Sequence, residues 1–400
     1  MGTNAGFSRA GLERMRKILA AYVERGEVAG IVTLLNRGGA THVECLGYRD
    51  LERREPVARD TLFRIASMSK PITAVAAMIL VEECRLRLDE PLDRVLPELA
   101  NRRVLKRLDA PLDDTEPARR PLTLRDLLTF RLGYGMIMAP PETFPVQREA
   151  SRLHIAGLKP RTPHGPDEWL RRFATLPLLY QPGERWLYHT GSDILGALIA
   201  RVAGQPFESF LNERIFAPLG MRDTFFTVPA EKLARFSSCY QPNLLHSGID
   251  LYEDARDSQW SQPPAFPSGG GGLVSTIDDY LAFGRMMLDN GRHARGRILA
   301  RTTVEAMLTD QITAEQKAAS PFFAGFWEHS GWGLGLSVIT RRDSGSAIPG
   351  QFGWSGAYGT SWLSDPSEDL VALLMIQRLG MGPTDINADF TTLVYQTLED

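Results

Sequence analysis

The tetrad Ser67-Met68-Ser69-Lys70 sets a hydroxyl and an amine three residues apart, directly ahead of the apolar stretch KPITAVAAMILVEE. That stretch, Lys70 to Glu83, carries a proline in its opening turn and reads as a helix buried inside the protein. With Ser67 in the first helical turn, Lys70 lies on the same face and its ammonium reaches the serine oxygen. The helix N-terminus also favours negative charge near that oxygen. A lysine followed by an apolar helix is partly desolvated, which lowers its pKa and lets it accept a proton. Lysine is scarce here, six of 45 cations, at positions 17, 70, 106, 159, 232 and 317. Such a pair suits nucleophilic attack on a carbonyl by an activated hydroxyl. The tetrad alone also reads as an N-capping serine beside a surface lysine whose stem lies along apolar neighbours.

Two further elements could complete that chemistry. Tyr188-His189-Thr190 follows the turn Gln181-Pro182-Gly183 and opens a helix that continues DILGALIARVAG. A tyrosine beside a lysine cation is expected to have a depressed pKa and to serve as a base, although a lone tyrosine is most often a packing residue. His189 is read as structural, pointing away from the site. Gly353-Trp354-Ser355-Gly356-Ala357 lies between strand-like segments near the C-terminus. A glycine there lets backbone approach a ligand, and an edge N–H can face a developing oxyanion. A tight turn is the plainer reading.

The elements that must position these groups follow from periodicity. Phe7 to Arg25 places Leu12, Met15, Leu19, Tyr22 and Val23 at helical spacing, and Gly30–Asn36 with Thr41–Tyr48 reads as a β-hairpin around Arg37-Gly38-Gly39. From about 91 to 264 helical patterns such as Leu122–Leu128 and Thr190–Ala203 alternate with loops rich in proline and glycine. Strand signals return in WGLGLSVIT, GTSWLSDP and LVALLMIQ, before a terminal helix over about 385–398. The expected fold is α+β in three layers: an antiparallel sheet built from both termini and flanked by helices, with a mainly helical insertion. The corresponding division is 1–90 with 265–400 for the sheet domain and 91–264 for the insertion.

In this order along the chain, the three elements resemble the serine β-lactamase and penicillin-binding-protein superfamily, closest to class C β-lactamases and family VIII carboxylesterases. FRIASMSKPITAVAAMILVEECRLRLDEPLDRVLPEL, LTLRDLLTF, YHTGSDILGALIARVAGQPFESFLNERIFAPLGM, PSGGGGLVSTIDDYLAFGRMML and FGWSGAYGTSWLSDP all look like family segments in family order. The resemblance implies a β-lactamase/transpeptidase-like fold with the active site in the groove between the two domains. It also implies an acyl-enzyme on Ser67, proton shuttling by Lys70 and Tyr188, and an oxyanion hole made by the N–H groups of Ser67 and Ala357. Which of Lys70 and Tyr188 takes the first proton is left open. Trp354, Ser355, Gly356, Thr190 and Tyr134 would touch the substrate.

The departures choose a branch. Members that cleave β-lactams usually carry Lys-Thr-Gly at the third element, where the cation helps hold the drug's carboxylate; this chain has Trp354, a family VIII esterase habit. They usually carry Tyr-x-Asn, and here Thr190 replaces the asparagine. Where many members read Leu-Leu-Thr-His-Thr-Ser-Gly, this chain has Phe130-Arg131-Leu132-Gly133-Tyr134. Neutral esters are therefore favoured over penicillins. The loops at 133–146, 259–267 and 321–332 are rich in aromatic and apolar residues and are expected in part to line the site.

The remaining features exclude other classes. Forty-five Lys plus Arg against 48 Asp plus Glu leave a charge of −3, little for a nucleic-acid backbone to hold. The seven histidines show no HExxH or paired metal spacing, and no GxSxG elbow occurs. Arg102, Arg103, Lys106 and Arg107 read as a solvated helix face, and Gly269–Gly272 as a loop beside the groove rather than a phosphate cradle. The odd three cysteines, the opening MGTNAGFSRAGLERMRK without an apolar core, and the absence of a long apolar run point to a reducing, cytoplasmic setting with no membrane span. The expectation is a serine hydrolase for small to medium apolar esters, without metal or cofactor, its partner a small-molecule ester, with self-association open. The alternatives are a β-lactamase or D-Ala-type peptidase, an acyltransferase on the same scaffold, and a non-catalytic scaffold protein.

Overall fold

The computed structural model describes residues 6–155, 162–243, 245–342, 344–380 and 385–399; the first five residues of the opening segment and Lys159 lie outside them. Helix α1 (Arg9–Glu24) starts where the Ser8 hydroxyl accepts the Gly11 N–H, and it buries the stripe Leu12, Met15, Leu19 and Tyr22. Strands β1 (Gly30–Arg37) and β2 (Ala40–Asp50) follow in antiparallel register with Arg37 opposite Ala40. Gly38 and Gly39 make the two-residue turn, with φ of 53° and 82°, the left-handed pair that this tight hairpin requires.

The sheet is completed by a two-residue strand after β2 and by five strands from the C-terminal part. With β3 as Glu55–Pro56, these are β4 (Ser330–Trp332), β5 (Ser337–Ile339), β6 (Phe352–Ser355), β7 (Ser361–Asp365) and β8 (Leu370–Met375). Their order is β4-β5-β6-β7-β8-β1-β2-β3, each pairing antiparallel. The segment WGLGLSVIT is thus two short strands, β4 ending at Trp332 and β5 beginning at Ser337, rather than one.

Two apolar layers clamp the sheet, and strand alternation decides which residue goes where. Ile31 and Leu35 of β1 and Leu370, Ala372 and Leu374 of β8 face α1 and the terminal helix Asp385–Gln396. Val32, Leu34, Val371, Leu373 and Met375 face the opposite layer, which holds α2 (Ser69–Glu82) and the helix Ile277–Leu288. Because both faces are covered, β1 and β8 read as continuous apolar runs. Residues Ser69 to Leu80 of α2 are all buried, as its lack of a polar face requires. On its far side α2 packs on α3 (Thr190–Ala203).

The expectation of a solvated helix face at 102–107 is corrected in part: Arg103, Lys106 and Arg107 are exposed, but no helix lies there and Arg102 is buried. Arg103–Leu105 is a strand, and the Arg102 guanidinium donates to the carbonyls of Phe173, Ala174 and Leu176 at the end of the helix Pro166–Thr175. Carbonyls at the end of a helix run short of i+4 N–H partners, so a buried cation is useful where charge counting suggested solvent. Among the described residues no helix is long and apolar enough to cross a membrane.

Candidate active site

Ser67 sits in a single 3-10 turn, Ala66–Met68, that runs directly into α2. The approach to this turn is held by Arg64, fully buried, which reaches Glu253 at 3.1 Å and the Ser237 carbonyl at 2.6 Å. Ala66 has a φ of 42°, strained for a residue with a Cβ, so the chain enters the helix at a sharp corner with the Ser67 side chain at the cavity wall.

Lys70, one turn on, is fully buried and has three partners around its nitrogen. Nζ donates to Ser67 Oγ at 2.8 Å and to the Gly270 carbonyl at 2.5 Å, and it lies 3.1 Å from His189 Nδ1. Burial lowers its pKa from 10.5 to about 7, with the Asp193 carboxylate opposing part of the shift. Near neutral pH a substantial fraction of Lys70 is therefore an amine with a lone pair.

Tyr188 comes from just before α3, and Lys70 Nζ lies 4.5 Å from the centre of its ring. Its oxygen accepts a hydrogen bond from the indole N–H of Trp354 at 2.6 Å, and the Ser67 side chain lies close enough to act on its pKa. The expected depression of the phenol is reversed, because burial pushes the Tyr188 pKa above its ordinary value and Ser67 and Trp354 only partly counter this. The physical reason is the aromatic box around the ring: Phe130 stands edge-on at 5.4 Å, and Trp186, Trp354 and Phe322 lie at 5.5 to 5.6 Å or closer. Rings cannot solvate a phenolate as water does.

At the third element, Gly356 lets β6 end against the corner before Ser67. A Cβ at this position would lie 2.3 Å from the Ile65 carbonyl oxygen. The close approach sets Ala357 on the same cavity wall as Ser67, and among the described residues neither main-chain N–H has a hydrogen-bond partner. Ser355, Gly356, Trp354, Thr190 and Tyr134 also line this cavity, whose volume is about 1740 Å³. Sites for small ligands are commonly roughly 300–1,000 Å³. Tyr134 additionally packs edge-on against Phe173 at 5.0 Å. The loop 133–146, Phe266 of the loop 259–267, and Phe322, Phe323 and Phe326 contribute walls, whereas Trp260 is buried and bonded to the Gly272 carbonyl.

Four contributors escape sequence reasoning. His189 was expected to point away; instead its backbone takes φ 90°, ψ −65° and swings the imidazole onto Lys70. Asp193, one turn into α3, meets His189 Nε2 at 3.2 Å and accepts from Ser268 Oγ at 2.6 Å and the Gly270 N–H at 3.0 Å. Burial pushes the Asp193 carboxyl up, but His189, Ser268 and Lys70 outweigh it and hold the group below the usual carboxylate value. The i, i+4 spacing of His189 and Asp193 was a readable signal. Gly270 lies in the run expected beside the groove, but its carbonyl's role rests on main-chain position, and the Ser268 hydroxyl left no signal in spacing. Among the described residues no cluster of His, Cys, Asp or Glu is arranged to hold a metal ion.

A serine beside a buried amine, on a helix under an antiparallel sheet, defines a class: serine hydrolases of the β-lactamase type. Residues 15–396 match the Beta-lactamase family, and the chain belongs to that family. It is 42% identical over 363 residues to Protein Rv1367c of Mycobacterium tuberculosis, covering 89% of this chain and 87% of that protein. It is 32% identical over 374 residues to Esterase EstB of Burkholderia gladioli, with the same two coverages. In fold it is similar to EstCE1, described as a hydrolase with promiscuous acyltransferase activity, at a TM-score of 0.80 and 24% identity, covering 97% of this chain and 99% of that one.

Proposed function

We propose that the protein hydrolyses neutral, apolar carboxylic esters through an acyl-enzyme on Ser67. The observation that carries this reading is the 2.8 Å contact between a buried Lys70 and Ser67 Oγ, in a cavity where Trp354 occupies the third element. Lys70, with its pKa near 7, is the first base; Tyr188, with its pKa raised, is the acid. The Ser67 proton passes to Lys70 as Oγ bonds to the ester carbonyl carbon, and the resulting oxyanion is held by the N–H groups of Ser67 and Ala357. Collapse breaks the bond to the alcohol oxygen, which takes the Tyr188 proton, and the Lys70 ammonium restores that proton to Tyr188. A water molecule then gives one proton to Lys70 and adds as hydroxide to the acyl carbon. The bond to Ser67 breaks, and Oγ recovers the proton.

Trp354 supports esters over β-lactams for two reasons. It offers no cation to a carboxylate, and its one donor is already engaged by Tyr188. The name of the Burkholderia gladioli relative, an esterase, points the same way. Three free thiols, Cys45, Cys84 and Cys239, support a reducing, cytoplasmic setting. The test is a panel of p-nitrophenyl esters beside nitrocefin, assayed on wild type and Ser67→Ala, with a fluorophosphonate label mapped by mass spectrometry. Ester turnover that needs Ser67, with the label on Ser67, is expected. Nitrocefin turnover equal to ester turnover would overturn the substrate assignment, and an unlabelled Ser67 the mechanism.

A further inference from the structure

We propose that His189 and Asp193 form a positioning couple that aims the lone pair of Lys70 at Ser67. The proposal rests on the Ser67 acyl-enzyme reading and goes beyond it by assigning work to two groups outside the serine, lysine and tyrosine.

A neutral amine at this position acts as a base only if its lone pair faces Ser67. Lys70 Nζ has three neighbours at hydrogen-bond distance: Ser67 Oγ, the Gly270 carbonyl and His189 Nδ1. An ammonium donates to all three, but a neutral amine has two N–H bonds and one lone pair, and the lone pair must face Ser67 if it is to take the proton. The Gly270 carbonyl can only accept. His189 Nδ1 accepts only in the tautomer whose proton is on Nε2, and Asp193 Oδ2, 3.2 Å from Nε2, selects that tautomer. Both N–H bonds of the amine are then directed away from Ser67, and the remaining orbital points at Oγ. Asp193 also fixes the second acceptor, since its Oδ1 takes the Gly270 N–H and the Ser268 hydroxyl. One carboxylate thus holds both acceptors of Lys70. The other groups facing this nitrogen are the Tyr188 ring at 4.5 Å and, through charge alone, Asp193 itself.

The backbone supports this assignment. His189 holds φ 90° and ψ −65°, a combination rarely adopted by a residue with a side chain. Strain of this kind persists where the surroundings require it, often at functional sites. Without the turn, the residue after Tyr188 would project along the start of α3.

The test is the pre-steady-state burst of p-nitrophenol from p-nitrophenyl butyrate, measured against pH in wild type, His189→Ala, His189→Asn, Asp193→Asn and the His189→Asn/Asp193→Asn double variant. Asparagine at 189 offers a carbonyl oxygen in place of Nδ1, an acceptor that needs no partner to set its tautomer. His189→Ala should slow acylation at least about tenfold, the scale of a lost orientation, and His189→Asn should recover most of that loss. In the wild-type background Asp193→Asn should slow acylation at least about tenfold and move the lower pH limb to more acidic pH, because the charge that favours the Lys70 ammonium is gone. In the His189→Asn background the same change should cost much less. Equal losses for Asp193→Asn in both backgrounds would assign Asp193 a purely structural role and overturn the couple, as would a wild-type burst in His189→Ala. Failure to trap any covalent adduct on Ser67 in wild type, by quenched mass spectrometry of the ester reaction or by a fluorophosphonate, would instead sink the acyl-enzyme reading beneath it.

Discussion

Each group at the reacting centre takes its role from what surrounds it. On the proposed mechanism Lys70 acts as the base because burial lowers its pKa, and Tyr188 keeps its proton because burial among rings raises its own. Ser67→Ala should abolish ester turnover while leaving the unfolding midpoint nearly unchanged, and Lys70→Ala or Tyr188→Phe should lower kcat at least about 10²-fold, the scale of a lost proton-transfer group. Rates equal to wild type in any of these would count against the mechanism. The lower limb of kcat/KM should follow Lys70, which must be deprotonated to act: activity rises with pH through about 7 and then levels. A flat profile from pH 5.5 to 8.5 would contradict this. Trp354→Phe keeps the wall and removes the donor to Tyr188, so kcat should fall about five- to tenfold, the scale of one hydrogen bond, with KM little changed. Trp354→Lys should raise the relative rate on carboxylate-bearing substrates, read from the ester-to-cephalosporin ratio.

Among the elements, the junctions matter more than the elements themselves. Helix α2 delivers Lys70 and α3 delivers His189 and Asp193, but the corner at Ala66 and the close pass of Gly356 over Ile65 decide where Ser67 and Ala357 meet. Gly356→Ala should force that junction apart, since its Cβ would meet the Ile65 oxygen at 2.3 Å. Loss of activity should then exceed loss of stability, measured as kcat/KM beside a urea midpoint. Arg102→Met tests a purely structural element: it leaves helix-end carbonyls without their buried donor and should cost about 1–3 kcal/mol in urea unfolding without altering the pH profile. The helices at 9–24, 69–82 and 190–203 were legible because their apolar periodicity or uniform burial repeats over several turns. The split of WGLGLSVIT into two strands was not, since short apolar runs look alike whether straight or turned.

For the whole molecule, the site is a cost that the surrounding core sustains. Lys70 is lowered to about 7 when folded and sits near 10.5 when unfolded, so between these values the unfolded chain holds a proton that the native protein does not. Its contribution to stability therefore rises with pH across that window, by up to about 1.4 kcal/mol per pH unit, and is lost as pH falls toward 7. Lys70→Met should remove this slope and raise the unfolding midpoint at pH 7 while destroying activity. Identical pH–stability curves for the two proteins would show that Lys70 is not neutralised by folding. The large apolar cavity also predicts tolerance of long acyl chains: kcat/KM should hold or rise from the acetate to the hexanoate ester, and a steep fall would contradict it.

The sequence by itself brought forward Ser67, Lys70 and Tyr188 as a candidate set, the sheet drawn from both ends of the chain, and Trp354 where relatives carry a cation. Each of these is written in residue type and spacing, which local physics can read. Only the tertiary structure set the opposite pKa shifts of Lys70 and Tyr188, the turning of His189 onto the lysine, and the burial of Arg102. Those outcomes depend on which distant groups surround a side chain and exclude water from it, and no spacing along a chain records that.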